Sequence, residues 1–190
     1  MVPIGHASSH PELVPDTDEF IRASIDTFDA WLNDPGAPMP ISPYYLYVLS
    51  ALGDPQPSDC PHDSCLTKWI CIYPDGSLYP CGKACPSDMR LCSIDDISTI
   101  SDAFRTSGFM RIAEGSVKRR EKCASCDLFQ YCQGGCSIDA YWEGSIEDNG
   151  NPSCRIFKAV FGHIKGELDA IISEEKDLSG YNRFVREAVL

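Results

Sequence analysis

Residues 123–136 read Cys-Ala-Ser-Cys-Asp-Leu-Phe-Gln-Tyr-Cys-Gln-Gly-Gly-Cys and carry four thiols at the spacing C-x2-C-x5-C-x3-C. The chain has eleven cysteines in all, and the other seven are at positions 60, 65, 71, 81, 85, 92 and 154. Thiols this close together indicate a thiolate-ligated metal site, a disulfide knot or a redox relay.

The composition favours the metal site. The chain has 190 residues, 43% of them hydrophobic, and a formal net charge of −12. This acidity argues against nucleic-acid binding, which uses a basic face. The N-terminal residues lack the features of a secretory leader, and no apolar stretch is long enough for a membrane span, so we expect a cytoplasmic protein without a membrane partner. In a reducing compartment, clustered cysteines are more often metal ligands than disulfides.

Helix signals flank the cysteine-rich part. Asp16, with Glu19 three residues later, predicts the start of a helix that continues to Leu32. Residues 42–52 predict a second, short apolar helix. Asn-Pro at 151–152 predicts the start of a closing helix. Its apolar face comprises Ile156, Val160, Ile164, Leu168 and Ile171.

Residues 68–79 predict a β-hairpin, because an aromatic and β-branched run is followed by the turn Pro-Asp-Gly-Ser. Residues 82–97 are polar and predict irregular structure. Residues 99–117 predict one helix with Ile100, Phe104 and Met110 facing inward. The basic residues at 118–122 suit the C-terminal dipole of that helix, or they offset anionic metal clusters beside it.

Iron–sulfur ligation explains the thiol spacing better than zinc ligation. A 4Fe–4S cluster takes four thiolates, and a C-x2-C loop supplies two of them to neighbouring corners. A zinc ribbon typically has two such pairs, whereas this chain has one, at Cys123 and Cys126. The unequal spacing favours two interleaved iron–sulfur sites, with an all-thiolate zinc site as the open alternative.

Seven cysteines and one glycine, in this order, resemble the signature of the SPASM domain. The signature begins with Cys65-x10-Gly76-x4-Cys81, continues through the run 123–136 and ends at Cys154. The SPASM domain is the C-terminal extension of radical SAM enzymes that modify peptides and proteins.

This resemblance implies two auxiliary 4Fe–4S clusters with interleaved ligands. The first would be held by Cys60, Cys65, Cys81 and Cys136. The second would be held by Cys123, Cys126, Cys132 and Cys154.

Some glycines and cysteines have other roles in this interpretation. Cys71 competes with Cys60 for the place of the eighth ligand, and Cys85 and Cys92 are expected to be small buried or loop thiols. The glycines at 134 and 135 would let the backbone pass close to a cluster.

The chain departs from complete radical SAM enzymes in one essential motif. Their chemistry uses a C-x3-C-x2-C loop whose cluster binds S-adenosylmethionine. Neither Cys81-x3-Cys85 nor Cys132-x3-Cys136 is followed by the third cysteine. Residues 1–55 resemble only the tail of the barrel that carries such a loop. We therefore expect no catalysis from this chain alone, with S-adenosylmethionine a cofactor only of a complete parent enzyme.

A second departure concerns the reaction. Sulfatase-maturing members of the family have an aspartate directly after the cysteine that ends the hairpin, where this chain has Gly82. Formylglycine formation is thereby less favoured than thioether or carbon–carbon crosslinking of a ribosomal peptide.

The sequence thus predicts an α+β fold in which a small cysteine-rich domain, with a β-hairpin and flanking helices, surrounds two 4Fe–4S clusters. We expect a helical lead-in at 1–55, a SPASM domain at 56–175 and a C-terminal tail at 176–190. The predicted role is electron transfer and positioning of a peptide or protein substrate, together with a radical SAM barrel in the same or another chain. A stand-alone electron carrier or peptide-binding module, and a zinc-stabilised structural domain, are the alternatives.

Overall fold

The structure is a computed structural model that describes residues 9–54, 65–83, 85, 87–144, 146–150, 152–175 and 177–190. Its α-helices are α1 (Thr17–Leu32), α2 (Tyr44–Ala51), α3 (Ile100–Ala103), α4 (Ser107–Cys123), α5 (Phe129–Cys132), α6 (Ser137–Trp142), α7 (Pro152–Ser173) and α8 (Arg183–Val189). The strands are β1 (Cys71–Ile72), β2 (Ser77–Tyr79) and β3 (Cys92–Ser93). Helices predominate, and the α+β class is confirmed.

The chain forms two compact units. The cysteine unit comprises Met1–Val14 and Asp59–Cys154, and the helical unit comprises Pro15–Ser58 and Arg155–Leu190. The predicted regions were consecutive along the chain, whereas each compact unit combines two separate segments. The predicted limits of the SPASM domain remain a prediction.

The three strands form an antiparallel sheet in the order β1-β2-β3. Cys71 is opposite Tyr79 in the first pair, and Leu78 is opposite Cys92 in the second. Gly76 has a φ of 79°, which the turn requires and which glycine adopts without strain. The hairpin is therefore confirmed, and β3 adds a strand within a stretch predicted to be irregular.

The predicted helix over 99–117 is two helices. The Thr106 hydroxyl accepts a hydrogen bond from the Phe109 backbone N–H at 3.2 Å and so starts α4 anew. The prediction that Ile100 and Met110 face inward is wrong, because their side chains are 47% and 48% exposed. The core of the cysteine unit consists of Leu78, Tyr79, Met89, Leu91, Cys92, Ala103, Phe109, Ile112 and Ile138.

The helical unit has an apolar core of its own. Asp16 caps α1 by accepting hydrogen bonds from the backbone N–H groups of Asp18 and Glu19, as the sequence predicted. The predicted faces of α1 and α7 meet in this core. It consists of Phe28, Trp31, Leu32, Ala37, Tyr44, Val48, Val160, Ile164, Leu168, Ile171 and Val185.

The C-terminal residues, predicted only as a tail, contain α8. Asn182 is fully buried and donates a hydrogen bond to the Trp31 carbonyl at 2.7 Å. Its side-chain oxygen accepts the Val185 N–H at 3.0 Å and caps the helix. None of the helices in the described part of the chain has both the length and the apolar character that crossing a membrane requires.

Candidate metal centre

The nine thiols whose side chains the structure describes are all reduced. Eight of them belong to the two groups described below, and the ninth, Cys92, belongs to the apolar core of the cysteine unit. Cys92 is 8% exposed in β3, and burial followed by repulsion from Asp96 raises its pKa. It is a buried thiol, as predicted.

The second thiol group comprises Cys123, Cys126, Cys132 and Cys154. Cys123 ends α4, Cys132 ends α5, and Cys154 lies in the first turn of α7. The Cys126 N–H donates to the Cys123 carbonyl at 2.9 Å, which closes the C-x2-C turn. Cys123 is buried and the others are half-buried.

The four sulfurs of the second thiol group interact with one another. Burial raises the pKa of Cys132, and repulsion from Cys123, Cys154 and Cys126 raises it further. Burial likewise raises the pKa of Cys123, and Cys154 and Cys126 add to the effect. These four residues thus influence one another electrostatically, and their role as ligands of one cluster remains a prediction.

The first thiol group comprises Cys71, Cys81, Cys85 and Cys136. Cys71 lies in β1, Cys81 follows β2, and Cys136 directly precedes α6. Burial raises the pKa of Cys85 to about 12, and repulsion from Cys81, Cys71 and Cys136 contributes. Cys136, at the end of the cysteine run, thus interacts with thiols in and after the hairpin, and the interleaved ligand arrangement remains a prediction.

The two upstream residues predicted for the first cluster cannot be placed in the same way. Cys60 lies outside the described residues. Cys65 begins a short 3-10 turn, Cys65–Thr67, and its side chain is outside the described part of the structure. Their ligand roles remain predictions, as does the choice between Cys60 and Cys71.

A buried cation lies close to both thiol groups. Arg119 of α4 is 1% exposed, and its guanidinium donates to the Gly134 carbonyl at 2.8 Å and to the Ser137 hydroxyl at 2.9 Å. Burial lowers its pKa, while Cys136 of the first group and Cys123 and Cys132 of the second raise it. Arg119 therefore places one positive charge near thiols of both groups.

A second cation, Lys83, contacts the first thiol group. The Lys83 ammonium lies 2.7 Å from Asp139 Oδ1 and 4.0 Å from Cys136 Sγ. The Lys83 backbone N–H also donates to Cys81 Sγ at 3.4 Å. Such donors stabilise thiolates and tune any metal that they bind.

These residues fit iron–sulfur clusters by their chemistry. Within the described ranges, no three His, Cys, Asp or Glu side chains converge closely enough to hold a single metal ion. A 4Fe–4S cluster takes its thiolates on separate irons, so its ligands do not need to converge on one atom. Soft thiolates are also the donors that such clusters select.

Sequence reasoning missed several contributors to this centre. Arg119 belongs to the basic run that the sequence singled out, but its burial depends on α4 packing against the loop at 134–135. No sequence pattern marks Lys83 or its partner Asp139, which are 56 residues apart. Cys85 was expected to be a loop thiol outside the clusters, whereas the structure places it in the first thiol group.

Comparison with known proteins shows several relatives, although no family model matches the chain. A cysteine-type anaerobic sulfatase-maturating enzyme of Clostridium perfringens (strain 13 / Type A) is 31% identical over 147 residues. The match covers 75% of this chain and 39% of that enzyme. The chain therefore spans about two fifths of the length of this curated relative.

Solved structures show the same fold. His6-tagged anSMEcpe with bound AdoMet has a TM-score of 0.65 and 24% identity, over 92% of this chain and 44% of that chain. Native anSMEcpe with bound AdoMet and the Kp18Cys peptide has a TM-score of 0.60 and 24% identity, over 90% of this chain and 48% of that chain. The fold of the present chain thus corresponds to about half of a larger protein.

Proposed function

Since the chain is homologous to part of the anaerobic sulfatase-maturating enzymes, which are radical SAM proteins, we propose that it is the auxiliary-cluster part, a SPASM domain, of an enzyme that modifies a ribosomally made peptide or protein. The observation that supports this proposal is that Cys123, Cys126, Cys132 and Cys154 interact with one another, while the Lys83 segment contacts both Cys81 and Cys136. The helices before the cysteine unit would correspond to the end of the radical SAM barrel.

The proposed ligands follow the interleaved division. Cys123, Cys126, Cys132 and Cys154 would hold one cluster. Cys81 and Cys136, with Cys60 and Cys65, would hold the other. When bound, the two clusters would supply centres for electron transfer.

The surrounding residues would adjust that chemistry. Arg119 and Lys83 place positive charge beside the thiolates, which favours their ionised, metal-binding form. The glycines at 134 and 135 have φ values of 88° and 76°. This left-handed backbone turns the carbonyls of the loop toward Arg119, and a Cβ at Gly134 would crowd Arg120. The loop between Cys132 and Cys136 would thus bind the arginine of α4 that supplies positive charge beside both thiols.

We propose the class of reaction that the complete enzyme would perform, and no specific product. The name of the C. perfringens relative states sulfatase maturation. The sequence favoured a crosslinking parent because Gly82 replaces an aspartate, and these relatives do not support that preference. We propose modification of a peptide or protein by a complete enzyme, with S-adenosylmethionine bound by the radical SAM part.

Metal analysis of anaerobically purified protein tests the proposal. We expect about eight irons per chain, absorbance near ~400 nm and electron paramagnetic resonance (EPR) signals of two reduced clusters. Colourless protein with stoichiometric zinc would support the zinc-stabilised domain and contradict the proposal. Full iron content in a protein that never associates with a radical SAM barrel would favour a stand-alone carrier instead.

The ligand division is tested by one cysteine from the second thiol group. Cys126→Ser should lower the iron content by about half, because one of two clusters loses a ligand. Cys92→Ser is the matched control, since Cys92 lies outside both groups, and its iron content should be unchanged. Unchanged iron in the Cys126 variant would contradict the division.

A further inference from the structure

The cysteine unit buries one cation, Arg119 of α4, almost completely. Its side chain is 1% exposed, a burial that arginine reaches almost only when an anion pairs with it. In the described part of the chain, however, its guanidinium donates only to neutral acceptors, which are backbone carbonyls and one hydroxyl. A buried charge is costly unless it is paired, so an anionic partner is expected beside this arginine.

The guanidinium contacts the segment between two proposed ligands. It donates to the Gly134 carbonyl at 2.8 Å and to the Gly135 carbonyl at 3.3 Å. It also donates at 2.9 Å to the hydroxyl of Ser137, the residue after Cys136. Gly134 is two residues from both Cys132 and Cys136, so its Cα lies within about 7 Å of the Cα of each. The positive charge is therefore held at the stretch that joins the two thiol groups.

The helix that carries Arg119 ends at a third proposed ligand. Arg119 and Cys123 are four residues apart in α4, which places their Cβ atoms about 6 Å apart on one face. Cys123 and Cys132 belong to the second thiol group, whereas Cys136 belongs to the first. Burial lowers the pKa of Arg119, and interaction with these three thiols raises it. One cation thus interacts with both groups.

We propose that Arg119 is a counter-charge shared by the two clusters and that it raises the reduction potential of each. The inference rests on the proposed function, since it assumes a cluster at each thiol group. A reduced cluster carries one more negative charge than the oxidised cluster, so a fixed positive charge beside it stabilises the reduced state. Because Arg119 is buried, water and salt screen it less than they screen a surface cation.

Two substitutions of Arg119 separate its charge from its packing. Arg119→Gln removes the charge and keeps an amide donor for the loop. Both potentials should fall in an EPR-monitored titration with dithionite, which supplies one electron to each cluster. Arg119→Lys keeps the charge, so both potentials should stay closer to the wild-type values. The fall in the glutamine variant should persist at high ionic strength, because the charge that it removes is buried.

Lys118→Met is the matched control, because it removes one positive charge from the neighbouring position of α4. The Lys118 side chain is 55% exposed and pairs with Glu147 at 2.9 Å. Both clusters should therefore keep their potentials in this variant. A fall equal to that in Arg119→Gln would show that net charge, rather than a buried charge, controls the potentials, and it would overturn the inference.

The other outcomes also decide the question. A fall in only one potential, or in neither, would overturn the inference and leave the proposed function intact. If Arg119→Gln holds little iron, full iron content in Arg119→Lys would support the inference, since restoring the charge restores both clusters. Equal loss of iron in these two variants would overturn it, because the forked donor rather than the charge would then be required. Wild-type protein without iron would overturn both proposals.

Discussion

At the scale of the residue, the Arg119 side chain interacts electrostatically with thiols of both groups. Neighbouring Lys118 and Lys122 pair with Glu147 and Asp148 at 2.9 and 2.5 Å in exposed ion pairs. Arg119 instead points into the unit, where backbone carbonyls and a hydroxyl take up its donors. The basic run thus contains exposed lysines in ion pairs and one buried arginine, and its two interpretations remain predictions.

Lys83 should influence the reduction potential of the cluster that Cys136 is proposed to bind. A nearby cation stabilises the more negative reduced state, so Lys83→Met should lower the potential of one cluster. The unpaired Asp139 carboxylate would act in the same direction. An EPR-monitored redox titration measures the change.

Lys118→Met is the control for this substitution, because Lys118 pairs with Glu147 and makes no recorded contact with a thiol. Both clusters should keep their potentials in that variant. Equal shifts in the two variants would show that net charge, rather than position, controls the potential.

At the scale of elements, the sequence predicts those caps, turns and helix faces whose signals lie within a few neighbouring residues. The Asp16 cap, the Pro-Asp-Gly-Ser turn and the apolar face of α7 are each encoded within a few residues, and all are present. The restart at Thr106 was missed because a threonine inside a periodic pattern does not by itself reveal a cap. β3 has two residues and exists only through its pairing with β2, so no local pattern announces it.

Gly115 of α4 should not tolerate a side chain. A Cβ there would lie 2.4 Å from Cγ1 of Ile146, whose carbonyl accepts a hydrogen bond from Arg119. Gly115→Ala should therefore lower the free energy of unfolding by about 1–3 kcal/mol through overpacking. Denaturant titration of the iron-loaded protein measures it.

Gly162 of α7 provides the matched control, since a Cβ there meets nothing within 4 Å. Gly162→Ala should raise the free energy of unfolding by about 1 kcal/mol, because alanine favours the helix. If both variants gained stability, Ile146 would be free to move aside and the close packing would not matter.

On the scale of the whole molecule, the resemblance to the SPASM signature implied the interleaved thiol division, which remains a prediction. Besides burial, Cys123, Cys154 and Cys126 each raise the pKa of Cys132, in keeping with that division. The position of Cys85 depends on a loop that folds back, which spacing does not encode. The helical unit combines segments from both ends of the chain, and only tertiary packing determines that grouping.

Removing the metal should unfold one unit and spare the other. The cysteine unit depends on its thiol groups, since metal binding to dispersed ligands supplies folding energy. The helical unit contains no cysteine and has its own apolar core. After chelation we expect the amides of α5 and α6 to lose protection against hydrogen exchange, while those of α1 keep it. Equal loss in both units would contradict this independence.

The interleaving of the two thiol groups also fixes the order in which they are completed during synthesis. A chain emerges from the ribosome starting at its N-terminus. Cys71, Cys81 and Cys85 of the first group are synthesised first, and Cys123, Cys126 and Cys132 of the second group follow. The first group lacks its fourth thiol until Cys136 is synthesised. Cys154 then closes the second group. The first site is thus always complete before the second, and a chain halted between these two residues would present one full set of thiols beside an unfinished one.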